Sequence, residues 1–217
     1  MKSLILLAVQ GAGKGTVAKA LEEKYNYAHI STGDILRERT LVKDELGSKI
    51  KELIDNGELV SDDIIFEAVE YRITQPDCEN GYILDGIPRT LLQAEKYDEL
   101  LRKLNKDAGL VINMTVPDEV LIERITSRRI CKECGKIYNI NFAEMKPKID
   151  GKCDDCDSEL IFRDDDSNEE AISRRISTYH KNAEAIINFY KEKGILYNVD
   201  STETKYAIQE VEKIIGG

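Results

Sequence analysis

The sequence predicts an α/β fold: a parallel sheet with helices on both faces, interrupted by two insertions. Three observations carry this expectation. Short apolar runs alternate with amphipathic stretches through most of the 217 residues. A glycine-rich turn joins the first apolar run to a helical pattern, and two cysteine pairs fall in a stretch with little helical periodicity. Strands separated by helices are forced into parallel pairing, and a parallel sheet must be covered on both faces.

The elements follow in order. SLILLAV (3–9) is the first strand candidate, and KGTVAKALEEKY reads as a helix with Val17, Ala20 and Leu21 on one face. YAHI (27–30) is the second strand. Residues 31–60 are polar and helical with no strand candidate, and end in DNGELV, where Gly57 suits a helix C-cap. In SDDIIFEAVEYRI, Ser61 can cap the helix, Asp62 and Asp63 suit its positive end, and Ile65, Val69 and Ile73 repeat on one face. YILDG (82–86) and LVINMTV (110–116) are strands, and PDEVLIERITSRR (117–129) reads as one helix, which would put Arg124 and Arg128 on a shared face. Residues 130–163 suggest a small β-rich insertion, 167–193 a long helix, and ILYNVD (195–200) a last strand. The expected organisation is a core of 1–30, 61–126 and 165–217, a helical insertion at 31–60 and a lid at 127–164.

Composition narrows the function. Hydrophobic residues make up 41% and charged residues 33%, the balance of a folded soluble chain. A net charge of −10 argues against a general nucleic-acid or anionic-membrane binder, although arginines can still gather in one cleft. MKSLILLAVQ leads into QGAGKG instead of a small-residue cleavage site, so it reads as a buried strand, and no stretch approaches a membrane span. The expectation is a cytoplasmic monomer that binds small molecules and neither nucleic acid nor membrane.

LILLAVQGAGKGTVAKAL departs from the phosphate-loop pattern G-x-x-x-x-G-K-[ST] in having Ala8 at the first glycine and Gly15 between Lys14 and Thr16. Alanine is tolerable at a strand end if its φ is negative. Gly11, Ala12, Gly13, Lys14, Gly15 and Thr16 are intact. Their amides and the helix N-terminus can cradle a phosphate, Lys14 can reach the β- and γ-phosphates, and Thr16 lies close to a metal. A dinucleotide loop is the rival, but Thr16 occupies its third glycine and Lys14 would have no role. At the end of another strand, Asp85 can orient the water shell of Mg²⁺.

CKEC and CDDC are separated by eighteen residues, a spacing that matches a tetrahedral site of Cys131, Cys134, Cys153 and Cys156 for structural Zn²⁺. Redox chemistry would want one dithiol, and a nucleic-acid-binding ribbon would want a basic surface. Residues 131–163 carry six Lys/Arg against seven Asp/Glu. Cys78 stands alone and is assigned to packing.

GAGKGT (11–16), STGDILR (31–37), GELVSDDI (57–64), LDGIPRTLLQA (84–94), VPDEVLIERITSRR (116–129), the cysteine pairs, RDDD (163–166) and RRISTYH (174–180) together resemble the adenylate kinase family in its long, zinc-lidded form. The resemblance covers nearly the whole chain. It implies a P-loop nucleoside monophosphate kinase core with an NMP-binding insertion and a zinc lid, converting MgATP and AMP reversibly to two ADP without a covalent intermediate. By that resemblance Thr32, Arg37, Gly86, Arg89 and Gln93 hold AMP, with Gln93 on the adenine edge. Gly11 to Thr16, Arg124 and Arg128 hold ATP, Arg163 and Arg175 close on the phosphates, and Lys14, Asp85, Arg89, Arg124, Arg163 and Arg175 form the catalytic set. Ala8, Gln10 for a common proline, Ile87 for a common phenylalanine and Ser61 for a usual proline depart from the family pattern. No general base is needed when the acceptor is a phosphate anion, and His29 and His180 are assigned to structure or solvent. UMP or CMP as acceptor, and a nucleotide sensor without catalysis, stay open at this point.

Overall fold

The computed structural model describes residues 2–41, 45–56, 58, 60–163, 166 and 168–216. Gly57, expected to cap a helix, lies outside these residues, as do Leu59 of GELVSDDI and Asp164 and Asp165 of RDDD.

From the N-terminus, β1 (Leu4–Leu7) leads to α1 (Lys14–Tyr25) and β2 (Ala28–Ser31). Two helices, α2 (Thr32–Thr40) and α3 (Glu45–Asp55), form the helical insertion, and α4 (Asp62–Ile73) returns the chain to β3 (Tyr82–Asp85). Next come α5 (Leu91–Lys103), β4 (Leu110–Thr115) and α6 (Asp118–Thr126). Three short strands follow: β5 (Arg128–Cys131), β6 (Ile137–Asn139) and β7 (Leu160–Ile161). The chain closes with α7 (Glu169–Glu192), β8 (Leu196–Asp200) and α8 (Thr204–Gly216).

Five strands pair in the order β2-β3-β1-β4-β8, every neighbour parallel. The reason is written in β1: all four of its residues are buried, and they alternate between faces. Ile5 and Leu7 join Ile30, Leu84, Val111, Val69, Tyr97 and Tyr190 on the face covered by α4, α5 and α7. Leu4 and Leu6 join Val17, Leu21, Ile112, Ala207 and Val211 under α1 and α8. Each such side chain contributes about 1.5–3 kcal/mol on burial, so one strand stitches two hydrophobic layers together. From β1 the chain runs out to the edge strand β2, returns to β3 beside β1, then crosses to β4 on the other side. β1 is therefore the switch point, and its C-terminal end opens into a crevice.

The three short strands form a separate antiparallel sheet, β6-β5-β7, as the β-rich reading of 130–163 expects. Two expectations need correction. The 117–129 stretch is not one helix: α6 stops at Thr126, and Arg128 pairs with Asn139 in β5. The Ser127 hydroxyl donates to the Glu123 carbonyl and bonds Asn139 Oδ1 at 2.7 Å, which ends the helix by tying its last turn to β6. Arg124 and Arg128 thus share no helical face. Ser61 stands at the start of α4, but its hydroxyl accepts no capping hydrogen bond. The acidic first turn, Asp62 and Asp63, faces the helix's positive end instead. Ile65, Val69 and Ile73 are buried as their spacing predicts.

Candidate active site

The turn after β1 does what its glycines allow. Gly11 has φ +87°, and a Cβ there would lie 2.9 Å from Ile125 Cγ1, so glycine is required on both counts. Ala8 has no such need: among the described residues, the non-glycine positions with positive φ are Asn26, Asn105 and Asp157. The departure at position 8 therefore costs the loop no backbone geometry. Gly13 leads directly into α1, whose N-terminus points at the crevice. Ser201, just after β8, donates its hydroxyl to Ala12 O at 2.7 Å and pins the loop from behind.

Lys14 folds back over the strand end. Its Nζ donates to Ala8 O at 3.0 Å and Val9 O at 3.1 Å, and lies 3.9 Å from Asp85 Oδ1. Burial lowers its pKa; Asp85 opposes this, and Arg89, Arg128 and Arg163 deepen it. Asp85 shows the complementary balance. Burial would raise its pKa, yet Lys14, His29 and Arg89 outweigh that and hold it below the ordinary carboxylate value. The charged carboxylate at the end of β3, beside the phosphate loop, suits a hydrated divalent cation.

His29, assigned to structure or solvent, makes a structural contact at the edge of the crevice. It projects from β2 into the crevice with Nε2 3.6 Å from Asp85 Oδ2, and that buried nitrogen has no hydrogen-bond partner. Burial works to lower its pKa, but Asp85 outweighs burial and raises it. Parallel pairing sets His29 opposite Ile83 and Ser31 opposite Asp85, which brings the His29 ring beside the Asp85 carboxylate, a juxtaposition invisible before the strand order is known. His180 fits its assignment, exposed and 2.9 Å from Asp118.

Beside Asp85, Gly86 follows β3 with φ +91°, and a Cβ there would run into Thr32 Oγ1. Thr32 is buried and donates to Asp85 O at 3.2 Å. Arg89 folds over this turn, its Nε donating to Gly86 O at 2.7 Å. Burial lowers the Arg89 pKa; Asp85 opposes it, while Arg175, Arg37 and Arg163 add to it. Arg37, one turn along α2, pairs with Asp34. Gln93 does not line the crevice. Its Oε1 accepts from Arg89 N at 2.7 Å and its Nε2 donates to Asp62 Oδ1 at 2.8 Å, so reading a base edge would require it to exchange these partners.

The two arginines of the 117–129 stretch go to different places. Arg124 donates to the carbonyls of Ser201 (3.0 Å) and Thr202 (2.8 Å) and lies 5.5 Å from the Phe142 ring. Arg128 makes a two-pronged pair with Asp166, both contacts 2.6 Å, with the Asp166 side chain fully buried. Gln10 bonds Asp166 Oδ1 at 2.6 Å and accepts from Arg175 at 3.0 Å. Arg175 also donates to Ile54 O at the end of α3. Sequence reasoning marks Gln10 only as a departure and quotes Asp166 only within a run of aspartates. The signal available is that a side-chain amide stands where proline carries no donor.

These groups line one cavity of about 960 Å³, which takes in Gly11, Gly13 to Thr16, Thr32, Arg37, Asp85, Gly86, Arg89, Arg124, Arg128, Arg163 and Arg175. Within the lid, the Sγ atoms of Cys131, Cys134, Cys153 and Cys156 all lie within 4.8 Å of one another, with Cys131–Cys156 at 3.4 Å and Cys134–Cys153 at 3.6 Å. Zinc–thiolate bonds of about 2.3 Å place tetrahedral sulfurs roughly 3.8 Å apart, so this cluster could hold a metal. The Tyr138 hydroxyl donates to Cys153 Sγ at 3.3 Å and helps pull that thiol down to about 6, favouring the thiolate that ligation needs.

A phosphate loop at the switch point of a parallel sheet, with a helical insertion after β2 and a cysteine-bearing lid after α6, defines a P-loop nucleoside monophosphate kinase, a transferase. The family model described as adenylate kinase matches residues 6–195. Among curated relatives, an adenylate kinase of Archaeoglobus fulgidus is 50% identical over 98% of this chain and 97% of its own length. One from Acetivibrio thermocellus is 48% identical over 92% of this chain and 91% of its own, and one from Thermotoga neapolitana 47% over 100% and 98%. The chain belongs to the adenylate kinase family, whose reaction is reversible phosphoryl transfer between ATP and AMP. No helix among the described residues is long and apolar enough to cross a membrane.

Proposed function

We propose that the chain transfers the γ-phosphoryl group of MgATP in line to AMP, giving two ADP with no covalent intermediate and with water excluded by closure over the cavity. The observation that carries this reading is the gathering of cations: Lys14 and Arg89 have their pKa values depressed by burial and by their cationic neighbours, despite Asp85. Such mutual repulsion is relieved when a polyphosphate enters, so the site is complementary to concentrated negative charge.

In this reading residues 1–30, 61–126 and 165–217 are the core, 31–60 hold the monophosphate and 127–164 close over ATP. Gly11 to Thr16 amides and Lys14 take the ATP phosphates. Arg37 and Arg89 take the AMP phosphate, beside Thr32 and Gly86. Arg128, Arg163 and Arg175 neutralise charge that spreads over the transferring group, and Arg124 borders the ATP base through its place beside residues 201–202. An AMP phosphate oxygen attacks the γ-phosphorus as the bond to the β–γ bridging oxygen breaks, so the nucleophile is already an anion and no base need accept a proton. Mg²⁺ bound with ATP would supply charge neutralisation on the phosphates, and Thr16 and Asp85 would hold it and its waters. Zn²⁺ on the four cysteines has a structural role, since a closed thiolate shell leaves no open position. Gln93 holds the Arg89 backbone and reaches the adenine edge only by giving up Asp62. The address is the cytoplasm and the working form a monomer.

The test is a coupled assay with ATP and each of AMP, GMP, CMP and UMP. AMP is expected to be strongly preferred. Preference for UMP or CMP would move the chain to another acceptor, and tight ATP binding without turnover would make it a sensor.

A further inference from the structure

We infer that Gln10 is a positioning residue that holds Arg175 and the Arg128–Asp166 pair in register with the phosphate loop. The inference rests on the proposed phosphoryl transfer and adds a residue to it. The amide of Gln10 is used at both ends. Its Nε2 donates to Asp166 Oδ1 at 2.6 Å and its Oε1 accepts from Arg175 at 3.0 Å. Which end is nitrogen is fixed by the partners: the opposite orientation would face oxygen to a carboxylate and NH₂ to a guanidinium. The amide serves an anion and a cation together, one through each end. A carboxylate would suit Arg175 and repel Asp166, and proline at this position would reach neither.

What the amide joins gives it reach. Asp166 grips Arg128 through two 2.6 Å contacts, and these residues stand where the chain leaves α6 for the lid and where it comes back toward α7. Arg175, on α7, also donates to Ile54 O at the end of α3 in the helical insertion. One side chain on the phosphate loop is thus bonded to the base of the lid and, through one arginine, to the acceptor-side insertion. Arg128 and Arg175 both line the transfer cavity, so an error in their placement falls on the transition state more than on either nucleotide alone.

The test compares the zinc-loaded enzyme with Gln10→Leu, which keeps an apolar stem and loses both bonds. Gln10→Leu is expected to lower kcat about tenfold, with KM for ATP and AMP within roughly threefold and Tm within about 2 °C. Added to Arg175→Lys, it should cost clearly less than the tenfold it costs alone, because one of its two partners is already altered and only the Asp166 bond is left to lose. If Gln10→Leu does not fold, Gln10→Met, which keeps the side-chain length and loses both bonds, is expected to show the same selective loss in kcat. Parental kcat in the folded variant, or a full tenfold loss on the Arg175→Lys background, would overturn the assignment. If unmodified enzyme turns over ATP and AMP while these results fail, only Gln10's role falls. If the unmodified enzyme fails, the proposed function falls first.

Discussion

Lys14 is held in the resting site by two carbonyls of its own loop, at 3.0 and 3.1 Å, and must leave them to meet a phosphate. Replacing Lys14 with alanine removes charge where charge develops, and kcat should fall by about 10²–10³-fold; steady-state kinetics with near-parental turnover would contradict its role. Ala8 lies outside the left-handed region, so glycine gains the loop nothing and enlarges the unfolded ensemble. Ala8→Gly should lower stability by about 0.4–1 kcal/mol in denaturant unfolding while leaving KM for ATP close to parental. His29 gives a signed pH prediction. Its pKa is raised in the fold because Asp85 outweighs burial, so its contribution is fully present below about pH 6.5 and is lost as pH rises through the folded value. The Tm difference between the parent and His29→Gln should be largest in acid and shrink toward neutral and above. A difference that grows with pH would reverse the assignment.

Among the elements, β1 and the phosphate loop were legible in the sequence because each rests on local chemistry: an uninterrupted apolar run, then glycines opening a helix. α4 was legible from Ile65, Val69 and Ile73 at helical spacing. The end of α6 was not, because Ser127 stops the helix by bonding Asn139, twelve residues on, and helix propensity says nothing of that partner. His29 beside Asp85 and Gln10 between Asp166 and Arg175 were hidden for the same reason: each depends on how distant segments pair. The four cysteines were legible from spacing, and their convergence gives the lid its test. The lid sheet has strands of four, three and two residues and a small buried cluster of Cys131, Tyr138, Cys153 and Leu160. A metal held by the four cysteines would be expected to stabilise so small a core. Cys134→Ser, or chelation of the parent, should lower the metal-to-protein ratio and the Tm of the lid while kcat at low temperature falls much less. Unchanged Tm with abolished catalysis would make the metal catalytic.

Across the whole molecule, a chain of net charge −10 gathers several of its cations in one crevice. The parallel sheet delivers Gly11 to Thr16 and Asp85 to one edge, the helical insertion brings Arg37, and α7 and the lid bring Arg175, Arg128 and Arg163 to the same 960 Å³ cavity. The fold thus concentrates positive charge that the composition as a whole does not advertise. The most direct measurement is a crystal structure with a dinucleoside pentaphosphate that joins the two substrates. The phosphate chain is predicted to lie against the amides of Gly11 to Thr16 and within hydrogen-bond reach of Lys14, Arg37, Arg89, Arg128, Arg163 and Arg175. A phosphate chain bound away from that loop and those side chains would contradict the account.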